Sequence, residues 1–296
     1  MTAPEAARTL IRVHGSVAHH TLCARRPSRD LVFGAVATGP GGAGGAVARQ
    51  VARLGGRASL TAGIGIDATG DELVRELTAD GVDCGSVVRS GTSTKVVVVV
   101  EDGVELTCAP GSEITPGAWP ADAGAGRTID WLSGFPSMAA VIRGTHRAGD
   151  GPVVDLGYAP WGCDPAALLD HALPLAPHIG TAVVSGGRLA DGDVAEVAGA
   201  LRLAGCSRVI ATRAERGVDV FDQSGRRRFA PHRVEQVDPL CAGDAFIAGY
   251  LEALSRGLGV AAAVQRGQDV AACKIGMFGE FPTAAQVDAW RQGRAG

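Results

Sequence analysis

The sequence predicts an α/β protein, a mostly parallel sheet covered by helices with a small β lid, and three observations predict it. Short apolar runs alternate with amphipathic helical stretches, glycines punctuate the helix ends, and one Asp-Gly hairpin interrupts the alternation. At 296 residues the chain is long enough to bury a large core without disulfides or a structural metal. The expectation is a single domain over residues 1–296, with lid strands from about 17–38 and 92–110.

Residues 8–18 read as the first strand, and the glycine-rich turn at 41–54 runs into an Ala/Val/Leu-faced helix closed by Gly55-Gly56. Ala58–Ile64 is a short apolar strand, and Gly70–Asp80 is an amphipathic helix with Leu73 and Leu77 on one face and Gly81 as its stop. Lys95–Val100, the turn Glu101-Asp102-Gly103 and Val104–Ala109 form a hairpin, because Asp-Gly supplies the positive φ angles of a tight turn. Further strands are expected at Gly126–Leu132, Pro152–Leu156, Thr181–Ser185 and Arg208–Thr212, with helices at 137–148, 164–175 and 191–204 between them. Two Ala-rich helices at 243–256 and 260–275 follow, and a short helix begins at Thr283 after Pro282.

Composition narrows the function classes. Hydrophobic residues make up 46% and charged residues 20%, and no run reaches the roughly 18 apolar residues of a membrane span. The N-terminus lacks a basic segment, apolar stretch and cleavage site in succession, so a cytoplasmic location is expected. Seven cysteines, at 23, 84, 108, 163, 206, 241 and 273, form no CxxC pair and point to neither a disulfide framework nor a zinc site. Net charge is −3, the only lysines are Lys95 and Lys274, and the arginines are scattered, which argues against a nucleic-acid partner. Arg226-Arg227-Arg228 follows Ser224-Gly225 and reads as a solvated hairpin turn.

The stretch from Val237 to Gly249 carries the chemistry. Small residues at Cys241, Ala242 and Gly243 open directly into an apolar helix, where unpaired amides and the helix dipole form a site for anions. Within that turn Asp244 has two readings by spacing alone: a base taking a proton from an attacking hydroxyl, or an N-cap of the helix.

The segment resembles the second signature of the ribokinase/PfkB sugar-kinase family, DTxGAGDxFxAG, with Asp238, Ala242, Gly243, Asp244, Phe246, Ala248 and Gly249 in register. The resemblance implies a ribokinase-like three-layer α/β/α fold and an ATP-dependent kinase acting on a hydroxyl of a sugar-like or nucleoside-like small molecule. It implies Asp244 as the catalytic base and Cys241, Ala242 and Gly243 as the anion hole, with ATP and Mg²⁺ as cofactors. It extends along the chain through Gly41-Gly42, the Gly65–Gly70 segment (GxDxxG), Gly81-Val82-Asp83, Thr212 and Gly217 (TxGxxG) and Gly279–Thr283. By the same resemblance His20, Gly41, Gly42, Ala46 and Asp155 fall on the substrate side, and Ser185, Thr212, Gly217 and Gln268 on the nucleotide side. No residue is assigned to a metal.

The departures from the pattern fall on side chains. Ala18 and His20 stand where GSxNxD has its Asn and Asp, and Ala46 stands at a further Asn position. The Asp155 segment keeps the Asp and a Trp of DxNxRxxxW without the polar groups between them, and Ser185-Gly186-Gly187-Arg188 replaces NxxE. Cys241 and Ala214 each replace a glycine, and Pro239-Leu240 replaces the Thr-containing pair around which some relatives build a monovalent-cation site. A changed acceptor is the simpler account, and a catalytically weak or inactive member with a binding or regulatory role is the alternative. An exposed lid edge makes a homodimer an expectation as well.

Rival chemistries are weaker. Gly39-Pro40-Gly41-Gly42-Ala43-Gly44 fits GxGxxG, but no tight βαβ unit opens the chain, and neither lysine satisfies a P-loop. Cys241 at a helix N-terminus suggests a nucleophilic thiol with a lowered pKa, for which the sequence places no histidine base.

Overall fold

In the computed structural model the described residues are 9–23, 36–90, 93–100, 107–109, 127–145, 151–157, 164–279 and 281–294. The expected turn at Glu101-Asp102-Gly103, the start of the strand at Gly126, the segment Tyr158 to Trp161 and Glu280 lie outside them.

The strands are β1 (Leu10–His14), β2 (Ala18–Cys23), β3 (Val36–Gly41), β4 (Arg57–Gly65), β5 (Val82–Ser90), β6 (Val96–Val100), β7 (Thr107–Ala109), β8 (Thr128–Ser133), β9 (Val153–Asp155), β10 (Thr181–Ser185), β11 (Arg208–Thr212), β12 (Val218–Asp222) and β13 (Gly225–Phe229). The helices are α1 (Ala43–Arg53), α2 (Ala68–Ala79), α3 (Ala139–Gly144), α4 (Pro165–Ala172), α5 (Asp191–Leu203), α6 (Ala242–Ser255), α7 (Val260–Ile275) and α8 (Ala284–Gln292). Among the described residues a nine-stranded sheet runs β13-β12-β11-β10-β9-β8-β1-β4-β5, and a second sheet of four strands runs β3-β2-β6-β7. From β11 to β5 every pairing is parallel, and the β12–β13 hairpin adds an antiparallel edge.

The three layers follow from the two-residue period of the strands. Trp131, Val153, Val183 and Ile210 point into a core shared with α1, α2, α6 and α7. Their neighbours Leu132, Val154, Val184 and Ala211 point into a second core shared with α3, α4 and α5. Each central strand is therefore apolar on both faces, which is why these stretches read as continuous hydrophobic runs.

Local chemistry fixes the helix ends. Asp67, Asp164 and Thr283 cap α2, α4 and α8 through their side chains, Thr283 in a full capping box with Gln286. α1 has no such cap and starts instead on a close backbone approach: Gly44 N–H donates to Ser16 O at 2.8 Å. A Cβ on Gly44 would meet the Gly15 carbonyl carbon at 2.7 Å, so only glycine fits.

Three expectations change. The first strand stops at His14, and a new strand begins at Ala18 in the smaller sheet, because Gly15 to Val17 turn over the start of α1. Val82–Ser90, matched only as a short motif, is a full edge strand beside β4. Arg226, Arg227 and Arg228 form the edge strand β13 rather than a solvated turn, and they are paired: Arg226 and Arg228 hold the buried Asp219, and Arg227 holds Asp222. No helix among the described residues is long and apolar enough to cross a membrane.

Candidate active site

The parallel strands β9, β10 and β11 end side by side at Asp155, Ser185 and Thr212, and these three residues line one cleft of about 420 Å³. Clefts at the carboxyl ends of parallel strands are where open α/β sheets take ligands, since the chain leaves the sheet there in loops free to vary. The smaller sheet supplies Ala18, His20 and Val97 to the same cleft, Lys95 enters it from just before β6, and the start of α6 supplies Cys241, Ala242, Gly243 and Asp244.

Asp244 does not cap α6. Cys241 occupies the N-cap position, with no side-chain capping bond, and Asp244 is the third residue of the helix, 5% exposed and directed at the cleft. Cys241 adopts φ 58°, a left-handed conformation that is strained for any residue but glycine. That conformation turns the chain sharply into the helix. Ala242 N–H is already engaged by Pro239 O at 3.2 Å, whereas Gly243 is exposed with open space where a Cβ would stand. The Cys241 thiol is held well above its ordinary range by burial and then by the neighbouring Asp244 carboxylate, opposite to the lowered value expected of a helix N-terminus. It is a protonated thiol at neutral pH, which removes the cysteine-nucleophile reading.

Asp155 is buried, and its pKa is pushed up to about 7, first by burial and further by the Asp244 charge, against the lowering effect of a 2.8 Å bond from Gly157 N–H. The two carboxylates therefore share one electrostatic environment, with Asp155 half-protonated near neutrality. Asp155 can then donate a hydrogen bond while Asp244 accepts one.

On the lid side, β2 and β6 run parallel with His19 opposite Val96, and alternation puts Ala18, His20, Lys95 and Val97 on the cleft face. His20 Nε2 accepts from Gly42 N–H at 3.0 Å, which leaves the ring proton on Nδ1. Burial, then His19 and Lys95, pushes its pKa down to about 4, so the imidazole is neutral at physiological pH. Gly41 packs directly under the ring, where a Cβ would overlap His20 Nδ1 at 2.1 Å. Lys95 is placed by its neighbour: Asp67 accepts from the Thr94 N–H and hydroxyl, both at 2.6 Å, and Thr94 Oγ1 accepts from Gly65 N–H. Among the described residues Lys95 makes no ion pair.

The residues expected on the nucleotide side divide. Ser185 and Thr212 line the cleft; Gly217 and Gln268 do not, and both pack on residues 229–231, Gln268 by donating to Ala230 O at 2.8 Å. Gly41 and the fully buried Ala46 also lie behind the cleft wall. Ala214, like Cys241, has positive φ (49°), and these are the only such residues apart from glycines among those described. The turn after β10 is filled by a cation: Arg216 donates to the carbonyls of Gly186, Gly187 and Leu189 at 2.8 to 3.3 Å. No group of three His, Cys, Asp or Glu side chains is close enough among the described residues to hold a metal by itself. For Mg²⁺ the cleft offers the Asp155 and Asp244 carboxylates, a donor set suited to an ion that keeps most of its water and phosphate ligands.

Sequence reasoning missed Lys95 as a site residue and missed Lys274, which borders a small adjoining cavity with Asp238, Cys241 and Gly279. Their rarity was the available signal: the chain has two lysines, and both flank this region.

Comparison with known proteins bears on the family and the fold. The model of the pfkB family carbohydrate kinases matches residues 10–114 and 184–282. The aminoimidazole riboside kinase of Salmonella enterica, solved with aminoimidazole riboside and an ATP analogue, superposes with a TM-score of 0.75 at 21% identity, over 96% of this chain and 99% of that one. A ribokinase from Thermotoga maritima gives 0.72 at 19% identity, over 96% and 99%. The nucleoside kinase of Methanocaldococcus jannaschii gives 0.74 at 15% identity, over 96% and 98%.

Proposed function

Because the chain belongs to the pfkB family of carbohydrate kinases, phosphotransferases with an alcohol acceptor, we propose that it transfers the γ-phosphoryl group of ATP to a hydroxyl of a sugar-like or nucleoside-like molecule that also carries an anionic group. One observation carries the reading: a buried carboxylate, Asp244, stands in the first turn of a helix whose start opens onto the cleft that the ends of β9, β10 and β11 also line.

The hydroxyl attacks the γ-phosphorus in line with the departing ADP. Its proton passes to Asp244 as the new P–O bond forms and the bond to the β-phosphate oxygen breaks. The amides at Cys241 and Gly243 receive the charge on the transferred group, aided by the positive end of α6. Ser185, Thr212, Gly217 and Gln268 shape the nucleotide side, the last two through the segment they support. Mg²⁺ would supply charge neutralisation on the ATP phosphates, and the Asp244 carboxylate, joined by Asp155 in its ionised form, would be placed to meet its water shell.

The acceptor lies against the lid wall. Asp155, carrying a proton near pH 7, donates to it, and neutral His20 offers an apolar, hydrogen-bonding edge. Ala18, beside Lys95 in the sheet, leaves room for the ammonium to reach a carboxylate or phosphate on the acceptor. The chain acts as one domain, and the start of β3, the edge strand of the smaller sheet among the described residues, where Val36 is 57% exposed, pairs two copies; sedimentation of the wild type against Val36→Lys reads that pairing.

The test is ADP release across neutral sugars, nucleosides, cyclitols, sugar acids and sugar phosphates, comparing wild type with Asp244→Ala. Turnover by the wild type alone, strongest on an acidic acceptor, is the expected result. Equal background for both proteins on every acceptor would favour a silent, ligand-binding member.

A further inference from the structure

Beneath the Cys241 turn lies a buried ammonium that the phosphoryl-transfer scheme does not use. Lys274 is 2% exposed, and its Nζ donates to the carboxylate of Asp238 and, at 3.3 Å, to the main-chain carbonyl of the same residue. Asp238 is itself 4% exposed and takes two further bonds, from Leu240 N–H at 2.9 Å and from Gly279 N–H at 3.0 Å. Ile275 O accepts from both Val237 N–H and Asp238 N–H at 2.9 Å, so the last turn of α7 grips the start of the loop that leads into α6.

These groups make a cation site. A carboxylate, a carbonyl oxygen and the negative end of a helix converge on one buried point, each favouring positive charge. The loop from Asp238 to Cys241 folds over that point with Cys241 in a strained conformation, and the charge of Lys274 is felt at the Cys241 thiol. An uncompensated carboxylate here would leave the loop in search of a counter-ion.

We infer that Lys274 is a positioning residue: a tethered cation that locks the 238–241 loop, and through it the amides facing the γ-phosphate, so that this chain needs no free monovalent cation to shape its anion hole. The inference rests on the reading of residues 241–244 as the ATP-facing turn, and nucleotide binding tests the two separately, with no acceptor required.

The affinity for a non-hydrolysable ATP analogue and for ADP is measured by calorimetry in choline, sodium, potassium and ammonium chloride at equal ionic strength, for wild type and Lys274→Ala. The wild type should bind equally in all four salts. Lys274→Ala should lose about 10-fold in affinity for the ATP analogue in choline, a difference of about 1.4 kcal/mol, with a smaller loss for ADP. Potassium or ammonium, entering the space left by the side chain, should restore most of it. A variant that matches the wild type in choline overturns the inference, as does a folded variant that no cation rescues, or a wild type that potassium strengthens. Wild type that binds neither nucleotide overturns the kinase reading as well. Should Lys274→Ala not fold, Asp238→Asn/Lys274→Met, which removes both charges, is measured in its place. Weak, cation-insensitive binding of the ATP analogue supports the inference there, and wild-type affinity overturns it.

Discussion

The two walls of the cleft are built from different materials. The α6 wall is a backbone construction: a left-handed residue at Cys241, an exposed glycine at Gly243 and a helix dipole, with the single carboxylate of Asp244 added. The lid wall is a side-chain construction, in which Ala18, His20 and Lys95 present whatever chemistry the sequence writes there. A backbone site tolerates change because amides survive substitution; even the glycine-to-cysteine replacement at 241 keeps the turn. A side-chain site changes its ligand with each substitution, so under the proposed function divergence between the walls would alter the acceptor while leaving the reaction in place.

The sharpest way to break this contrast is Asp244→Asn, the one side chain on which the α6 wall depends. Turnover should fall about 10³- to 10⁴-fold, the full worth of a general base, while the affinity for ATP stays near wild type; a loss confined to KM would move Asp244 to the lid wall's category. On the opposite wall Lys95→Met should raise KM for an acidic acceptor about 10- to 100-fold, the loss of one charge-assisted bond of about 1.5–3 kcal/mol, and leave kcat within a factor of a few. Steady-state kinetics on the acceptor found by ADP release reads both.

Asp155 joins the walls and gives the contrast a pH dependence. Its folded pKa, about 7, lies above that of an unfolded aspartate near 4, so the folded protein holds the proton more tightly. The stability it lends is complete below about pH 4 and is lost as pH rises through 7. Asp155→Asn should therefore unfold at higher denaturant than wild type at pH 8, by up to about 4 kcal/mol, and show no such advantage at pH 4. An inflection near pH 7 in the wild-type rate profile should disappear with the same substitution. The smallest effects belong to the strained turns: Cys241→Gly and Ala214→Gly each relieve a left-handed residue and should stabilise by about 1 kcal/mol, measured by urea unfolding.

Much of the central sheet was legible because its strands are apolar on both faces and its helices amphipathic, patterns that a single chain displays directly. The strands β5 and β13 were not, since Val82–Ser90 mixes polar and apolar residues along an edge, and three consecutive arginines look like solvent-facing chemistry until their carboxylate partners, Asp219 and Asp222, are known. In the cleft, Asp244 stood out through its motif, whereas Lys95 did not, because its place depends on pairing between β2 and β6 and on the Asp67–Thr94 clasp across 27 positions of sequence. Lys274 was hidden for the same reason, its partner lying 36 residues away. For the Cys241 thiol, the weaker rival, the helix dipole argued for a lowered pKa, and burial beside a carboxylate pushes it the other way.

The most direct test of the account is a crystal structure with a non-hydrolysable ATP analogue and Mg²⁺. The account predicts the γ-phosphate oxygens on the amides of Cys241 and Gly243, with the Asp244 carboxylate placed to contact an acceptor oxygen about 3–3.5 Å from the γ-phosphorus. A triphosphate tail that runs away from the start of α6, leaving Asp244 facing solvent alone, would contradict it.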